Sequence, residues 1–222
     1  MRSTILGLGE WRPPTRRVNS DWPEQTVEGW RARAAAHAAA AQGPGIDGTA
    51  LTDKPDLDAA DRLSALGFGK DAEDVFLFAK ERRVADPRTT AIEAAAEAGR
   101  AALRDANVDP ADVQVVVCWD AIPDRPGCPG APKVAELALA RRAHAFDIQQ
   151  ACASVISSLE LAAGLIESGR ARHVLLTQTH IGFRFCGFEA PISANVGDIA
   201  TAMVVGPSER AGVLSTSLLS DG

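Results

Sequence analysis

The sequence predicts an α/β layered domain around a central sheet, and three observations carry that prediction. From residue 113 onward, short β-branched runs alternate with longer helical patterns. The strand candidates are nearly continuous apolar runs, as expected of strands covered on both faces. A chain of 222 residues with 46 % hydrophobic and 23 % charged residues is long enough and apolar enough to bury a sizeable core.

The elements follow in order. Residues 5–8 form a first strand, closed by Gly9 and the Pro13-Pro14 pair. Gly7-Leu8-Gly9 begins like a dinucleotide loop. However, Arg12 stands where the third glycine belongs and no helix opens behind it, so that reading is set aside. A helix is expected from Ser20-Asp21, with Pro23 in its first turn, to about Ala41. Residues 43–58 are rich in turn formers, and the stretch from about 40 to 75 reads as an insertion in a single 1–222 domain. Val75, Phe76, Phe78 and Ala79 give residues 71–83 an amphipathic helical pattern. A stronger helix covers 90–107, with Ala91, Ile92, Ala95, Ala98, Ala102 and Leu103 on one face. Strands at 113–118, 144–148 and 173–177 then alternate with helices at 129–140 and 154–168. Two further strands, 199–205 and 212–218, complete the series.

Composition narrows the function. The 23 Lys+Arg against 29 Asp+Glu give a net charge of −6, which argues against a nucleic-acid surface. No apolar run reaches the roughly 18 residues of a membrane helix, and the opening residues read as a strand rather than a signal-peptide core, so a cytoplasmic location is expected. The four cysteines, Cys118, Cys128, Cys152 and Cys186, include no C-x-x-C pair, so neither a zinc knuckle nor a disulfide framework is expected.

The segment of residues 146–156, Phe-Asp-Ile-Gln-Gln-Ala-Cys-Ala-Ser-Val-Ile, holds the most chemistry. A strand ends, three residues turn, and Cys152 sits where the next helix begins. Free backbone N–H groups and the positive end of the helix dipole suit a thiolate there, and the same N–H groups can hold an oxyanion on an acylated sulfur. Position alone leaves two readings open, a nucleophile or a buried structural cysteine.

Residues 147–154 resemble the nucleophile segment, Asp-x-x-x-Ala-Cys-Ala-Gly/Ser, of the ketoacyl-ACP synthase III branch of the thiolase superfamily. The likeness continues along most of the chain. Ile5-Leu-Gly-Leu-Gly with Pro13 is similar to the family's first strand and turn. Residues 80–86, Lys-Glu-Arg-Arg-Val-Ala-Asp, resemble its Arg-Glu-Arg-Arg segment. Residues 126–131, Pro-Gly-Cys-Pro-Gly-Ala, stand at its dimer-interface loop. Gly197-Asp198 with residues 200–206 resembles its Gly-Asp-Gly-Ala-Gly-Ala strand, with Ile199 in place of a glycine.

The resemblance implies the N-terminal half of a thiolase-like fold, layered α-β-α with a central mixed five-stranded sheet. It implies an acyltransferase that loads an acyl group from a coenzyme A or acyl-carrier-protein thioester onto Cys152, with no bound cofactor or metal. A thiolate suits thioester exchange as both nucleophile and leaving group. The family's catalytic His and Asn motifs belong to a second half and do not occur here. A second polypeptide carrying that half is therefore the expected partner, in a dimer of such heterodimers, with a carrier protein as a further partner. The other readings are a non-catalytic scaffold subunit of an active homologue and a fragment of a full-length synthase. Four further positions are substrate-binding candidates. Trp30 and Arg184 lie roughly where the family contacts the coenzyme A nucleotide, Cys128 lies near the loop that crosses the family's dimer, and His180 follows a strand near Cys152. Each has a plainer reading as a packing or surface residue.

Overall fold

A computed structural model describes residues 2–40, 74–125, 127–182, 187–209 and 212–218. Arg184, Cys186 and most of the expected insertion lie outside the described residues. The chain divides into two compact units. One comprises Met1–Pro13, Ala85–Ile181 and Asp198–Gly222; the other comprises Pro14–Val84 and Gly182–Gly197.

The first unit holds a mixed five-stranded sheet of order β1-β7-β6-β4-β5. Its strands are β1 (Arg2–Trp11), β4 (Val115–Asp120), β5 (His144–Asp147), β6 (Val174–His180) and β7 (Ile199–Ser208). β4, β5 and β6 run parallel, and β7 pairs antiparallel to both β6 and β1. Three helices cover it: α2 (Ala91–Ala106), α3 (Ala131–Leu137) and α4 (Ser154–Glu167). The expected α-β-α layering is therefore present.

α2 starts where its sequence says it should. Thr90 accepts the Glu93 N–H, and the Glu93 carboxylate reaches back to the Thr90 N–H. It ends at Asn107, whose φ of 51° is the left-handed cap that asparagine tolerates. Its alanine face allows an unusually close approach to β1. A Cβ on Gly7 would lie 2.3 Å from the Ala106 nitrogen, and one on Gly9 would lie 2.2 Å from the Ala98 oxygen. The Gly-x-Gly pair thus lets strand and helix backbones touch. α4 covers the opposite face. Ala162 and Ile166 pack with Val115, Val117, Val174, Leu176 and Val205.

The second unit pairs β2 (Thr15–Val18) antiparallel with β3 (Glu81–Val84) and contains α1 (Glu24–Ala40). Its core is Trp22, Val27, Trp30, Val75 and Ala194, with Phe76 packed against them. Both indoles are satisfied: Trp22 donates to the Phe188 carbonyl at 2.9 Å and Trp30 to that of Glu189 at 2.8 Å.

Two expected elements are absent from the described residues. In place of a helix over 71–83 there is a turn followed by β3. The Asp74 carboxylate accepts the N–H groups of Phe76 and Phe78, and Leu77 and Phe78 take φ values of 47° and 64°, which no α-helix continues. Residues 212–218 are not a strand either. Gly212 and Val213 both donate to the single carbonyl of Ser3, which makes a local anchor rather than a ladder. Among the described residues no helix is long and apolar enough to cross a membrane.

Candidate active site around Cys152

The parallel strands aim their carboxyl ends at one edge, and the chain turns there into α4. Past β5, Ile148 donates to the Cys118 carbonyl at 2.9 Å, and the Gln149 side chain donates to that of Asp120 at 2.8 Å. These bonds fix the start of the turn against the end of β4. Ala151 then adopts a φ of 47°, a left-handed conformation that alanine seldom takes, and residues 151–153 form a single 3-10 turn leading into α4. The Gln150 N–H donates to Ser154 Oγ at 2.7 Å, and Ser157 Oγ donates to the Gln150 side chain. Cys152 stands exposed at this turn with a free thiol. Ala153 caps α4 without any side-chain acceptor, so the helix start carries no competing cap at the sulfur. The turn thus holds an accessible thiol beside a helix N-terminus, where backbone donors can meet a developing oxyanion.

Cys118 is a contrasting thiol. It is 5 % exposed, Thr177 Oγ1 donates to its sulfur at 3.0 Å, and burial pushes it up to about 12. It is a packing residue at neutral pH.

Cys128 is exposed and lines a cavity of about 460 Å³ with Ile92, Cys118, Asp124, Lys133 and Gln149. Cys152 is not among the residues lining that cavity. Two carboxylates cap the helices around it. Asp124 accepts from the Ala91 and Ile92 N–H groups at 2.9 and 3.0 Å, and Asp147 accepts from Gly130 and Ala131 at 2.7 and 2.8 Å. Asp147 therefore ties the Cys128 loop to the strand that leads to Cys152.

The other candidates fall as follows. His180 is the last residue of β6, half-buried and paired in register with Ile199, rather than a residue of the following loop. Trp30 belongs to the second unit, 4 % exposed within its aromatic cluster.

Three residues that the sequence did not single out carry buried polar atoms without a hydrogen-bond partner: Ser158 Oγ, Gln178 Nε2 and Trp119 Nε1. Trp119 and Gln178 are register partners on β4 and β6. For Trp119 and Gln178 the only sequence signal is a polar-tipped side chain continuing an otherwise apolar strand run.

A sequence profile described as 3-oxoacyl-acyl-carrier-protein (ACP) synthase III matches residues 146–222, a stretch that includes the Cys152 turn. The chain is 40 % identical over 147 residues to the beta-ketoacyl-acyl-carrier-protein synthase III of Roseiflexus castenholzii, covering 64 % of this chain and 44 % of that protein. The crystal structure of a priming beta-ketosynthase from a polyketide biosynthetic pathway superposes with a TM-score of 0.65 at 27 % identity, over 95 % of this chain and 51 % of that one. The 3-oxoacyl-acyl-carrier-protein synthase III of Aquifex aeolicus shares the fold with a TM-score of 0.63 at 24 % identity, over 94 % of this chain and 55 % of that one. The chain spans about half the length of the relatives it matches. Over about half of their length, the chain is thus similar to ketoacyl-ACP synthase III proteins in sequence and in fold.

Proposed function

We propose that this chain is the nucleophile-bearing part of a ketoacyl synthase III-like acyltransferase, with Cys152 as the acyl acceptor. The observation that carries this reading is the exposed thiol on a strained turn at an uncapped helix N-terminus. The Cys152 thiolate attacks the carbonyl carbon of an acyl thioester, supplied by coenzyme A or a carrier protein. A tetrahedral oxyanion forms beside the backbone donors. Its collapse breaks the donor's C–S bond and releases the donor thiolate, which takes up a proton. The acyl group then passes to a second substrate, as a decarboxylating condensation or an acyl transfer to oxygen or nitrogen. The groups that drive the second step are assigned to a partner chain carrying the other thiolase half, in a dimer of such heterodimers. Ile156, 42 % exposed on α4 beside half-buried Val155 and Leu159, supports that assignment. Cys128, His180 and Arg184 remain assigned to substrate contact, and the chain's location to the cytoplasm; Trp30, buried with its indole N–H bonded to the Glu189 carbonyl, is a core residue of the second unit instead.

Native mass spectrometry of the protein from its own host, followed by denaturation, tests this. The expected result is a second thiolase-like polypeptide and acyl mass on the 222-residue chain. A chain found only with itself, unacylated beside a reactive thioester, makes it a scaffold subunit or a fragment instead.

A further inference from the structure

The unpartnered atoms of Ser158, Gln178 and Trp119 belong to one layer of the fold. Val117 and Leu176 face α4, and side chains two residues on along a strand return to the same face. Trp119 and Gln178 therefore also face α4, at the carboxyl ends of β4 and β6. On α4, Ser158, Ala162 and Ile166 are spaced four apart on the side that meets the sheet, with Ser158 nearest the helix start. Helix and strands run in opposite directions. One helical turn toward Cys152 and two strand residues toward the sheet edge are each a step of about 6 Å. Ser158 thus stands level with Trp119 and Gln178, less than two turns below Cys152.

Ser158 is 1 % and Gln178 6 % exposed, so two polar side chains are shut away from bulk water with an atom unused. Buried donors without acceptors are costly and rare. A relative that handled only alkyl chains would gain by lining this layer with apolar side chains, as Val117, Leu176 and Ala162 line the next one. The unused groups are two N–H donors and a hydroxyl that both donates and accepts. Together they match one ligand oxygen.

Resting on the reading of Cys152 as acyl acceptor, we infer that the layer beneath it is a polar acyl subsite that selects a short acyl group carrying a hydroxyl or keto oxygen. An acyl chain of about four to six carbons spans the remaining distance. Its oxygen accepts from Gln178 and Trp119 and exchanges a hydrogen bond with Ser158.

The test compares acylation of Cys152 by 3-hydroxybutyryl-, butyryl- and hexanoyl-coenzyme A, using the full chain with its co-purifying partners. Rates are read by intact mass and peptide mapping and divided by each donor's rate with N-acetylcysteine. The expected result is about a fivefold preference for 3-hydroxybutyryl over butyryl, the worth of one satisfied neutral hydrogen bond. Gln178→Met and, separately, Ser158→Ala bring that ratio toward one. Should Gln178→Met not fold, Ser158→Ala alone decides. Equal labelling by butyryl and 3-hydroxybutyryl, or a preference that survives the variants, overturns the subsite and leaves Cys152 as acceptor. If Gln178→Met lowers the melting temperature while the ratio stays put, the layer holds buried water and the subsite is again overturned. Acylation by none of the three donors removes the acceptor reading and the subsite with it.

Discussion

On the face of the sheet that meets α2, backbones touch through Gly7 and Gly9, and the Cys118 thiol is sealed beneath Thr177. On the face that meets α4, branched side chains fill the core and then give way to Trp119, Gln178 and Ser158 with polar atoms unused. Both faces carry a cysteine close to the same sheet edge. The first is buried in close packing; the second is exposed on a turn whose helix start has no side-chain cap. Residue type therefore says little about a thiol here; its backbone setting decides. A close-packed face stores stability, whereas a site needs groups left incompletely satisfied until a ligand arrives.

The sharpest way to break this contrast is to spoil the close-packed face. Gly9→Val forces a Cβ into the Ala98 oxygen and the Ala102 nitrogen, both backbone atoms that cannot rotate away. The expected loss is about 3 kcal/mol or more, seen as a lost or strongly lowered cooperative thermal transition. Next in size is Asp147→Ala, which strips the acceptor from two N–H groups at the start of α3. It should cost about 2 kcal/mol by denaturant unfolding, with Asp147→Asn recovering part.

A smaller effect comes from Cys118. Its thiol is raised from 9.0 to about 12 by burial, so above pH 9 the unfolded chain loses the proton that the folded chain keeps. Stability is therefore fully present below pH 9 and falls as pH rises from 9 toward 12, by on the order of 1 kcal/mol per pH unit. Cys118→Ala should flatten that slope in urea melts taken across this range. At pH 8, iodoacetamide should modify Cys152 and Cys128 in the folded protein and spare Cys118. Smallest of all is the stability change of Cys152→Ala, expected within about 0.5 kcal/mol because the side chain is exposed.

Much of this was legible from residue order. The Thr90–Glu93 capping box, the alanine face of α2 and the Val-Val-Val-Cys run of β4 announce themselves locally, and the Cys152 turn could be placed from the chain around it. The turn at Asp74 could not. Val75, Phe76, Phe78 and Ala79 have helical spacing, but one carboxylate capturing two N–H groups overrides it. Residues 212–218 have strand-like composition, but the nearest backbone offers them one carbonyl, that of Ser3. The polar layer was out of reach for another reason. Ser158, Gln178 and Trp119 lie on three different elements, and only the β4–β6 register and the level of α4 bring them together.

The central claim is that the exposed thiol of Cys152, and not those of Cys118 or Cys128, takes the acyl group. Intact-mass measurement and peptide mapping after incubation with butyryl-coenzyme A test it directly, on the natural chain and on Cys152→Ala. One added butyryl group of about 70 Da is expected, mapped to residue 152 and lost in the variant. Label on Cys128, or label that persists in Cys152→Ala, contradicts it.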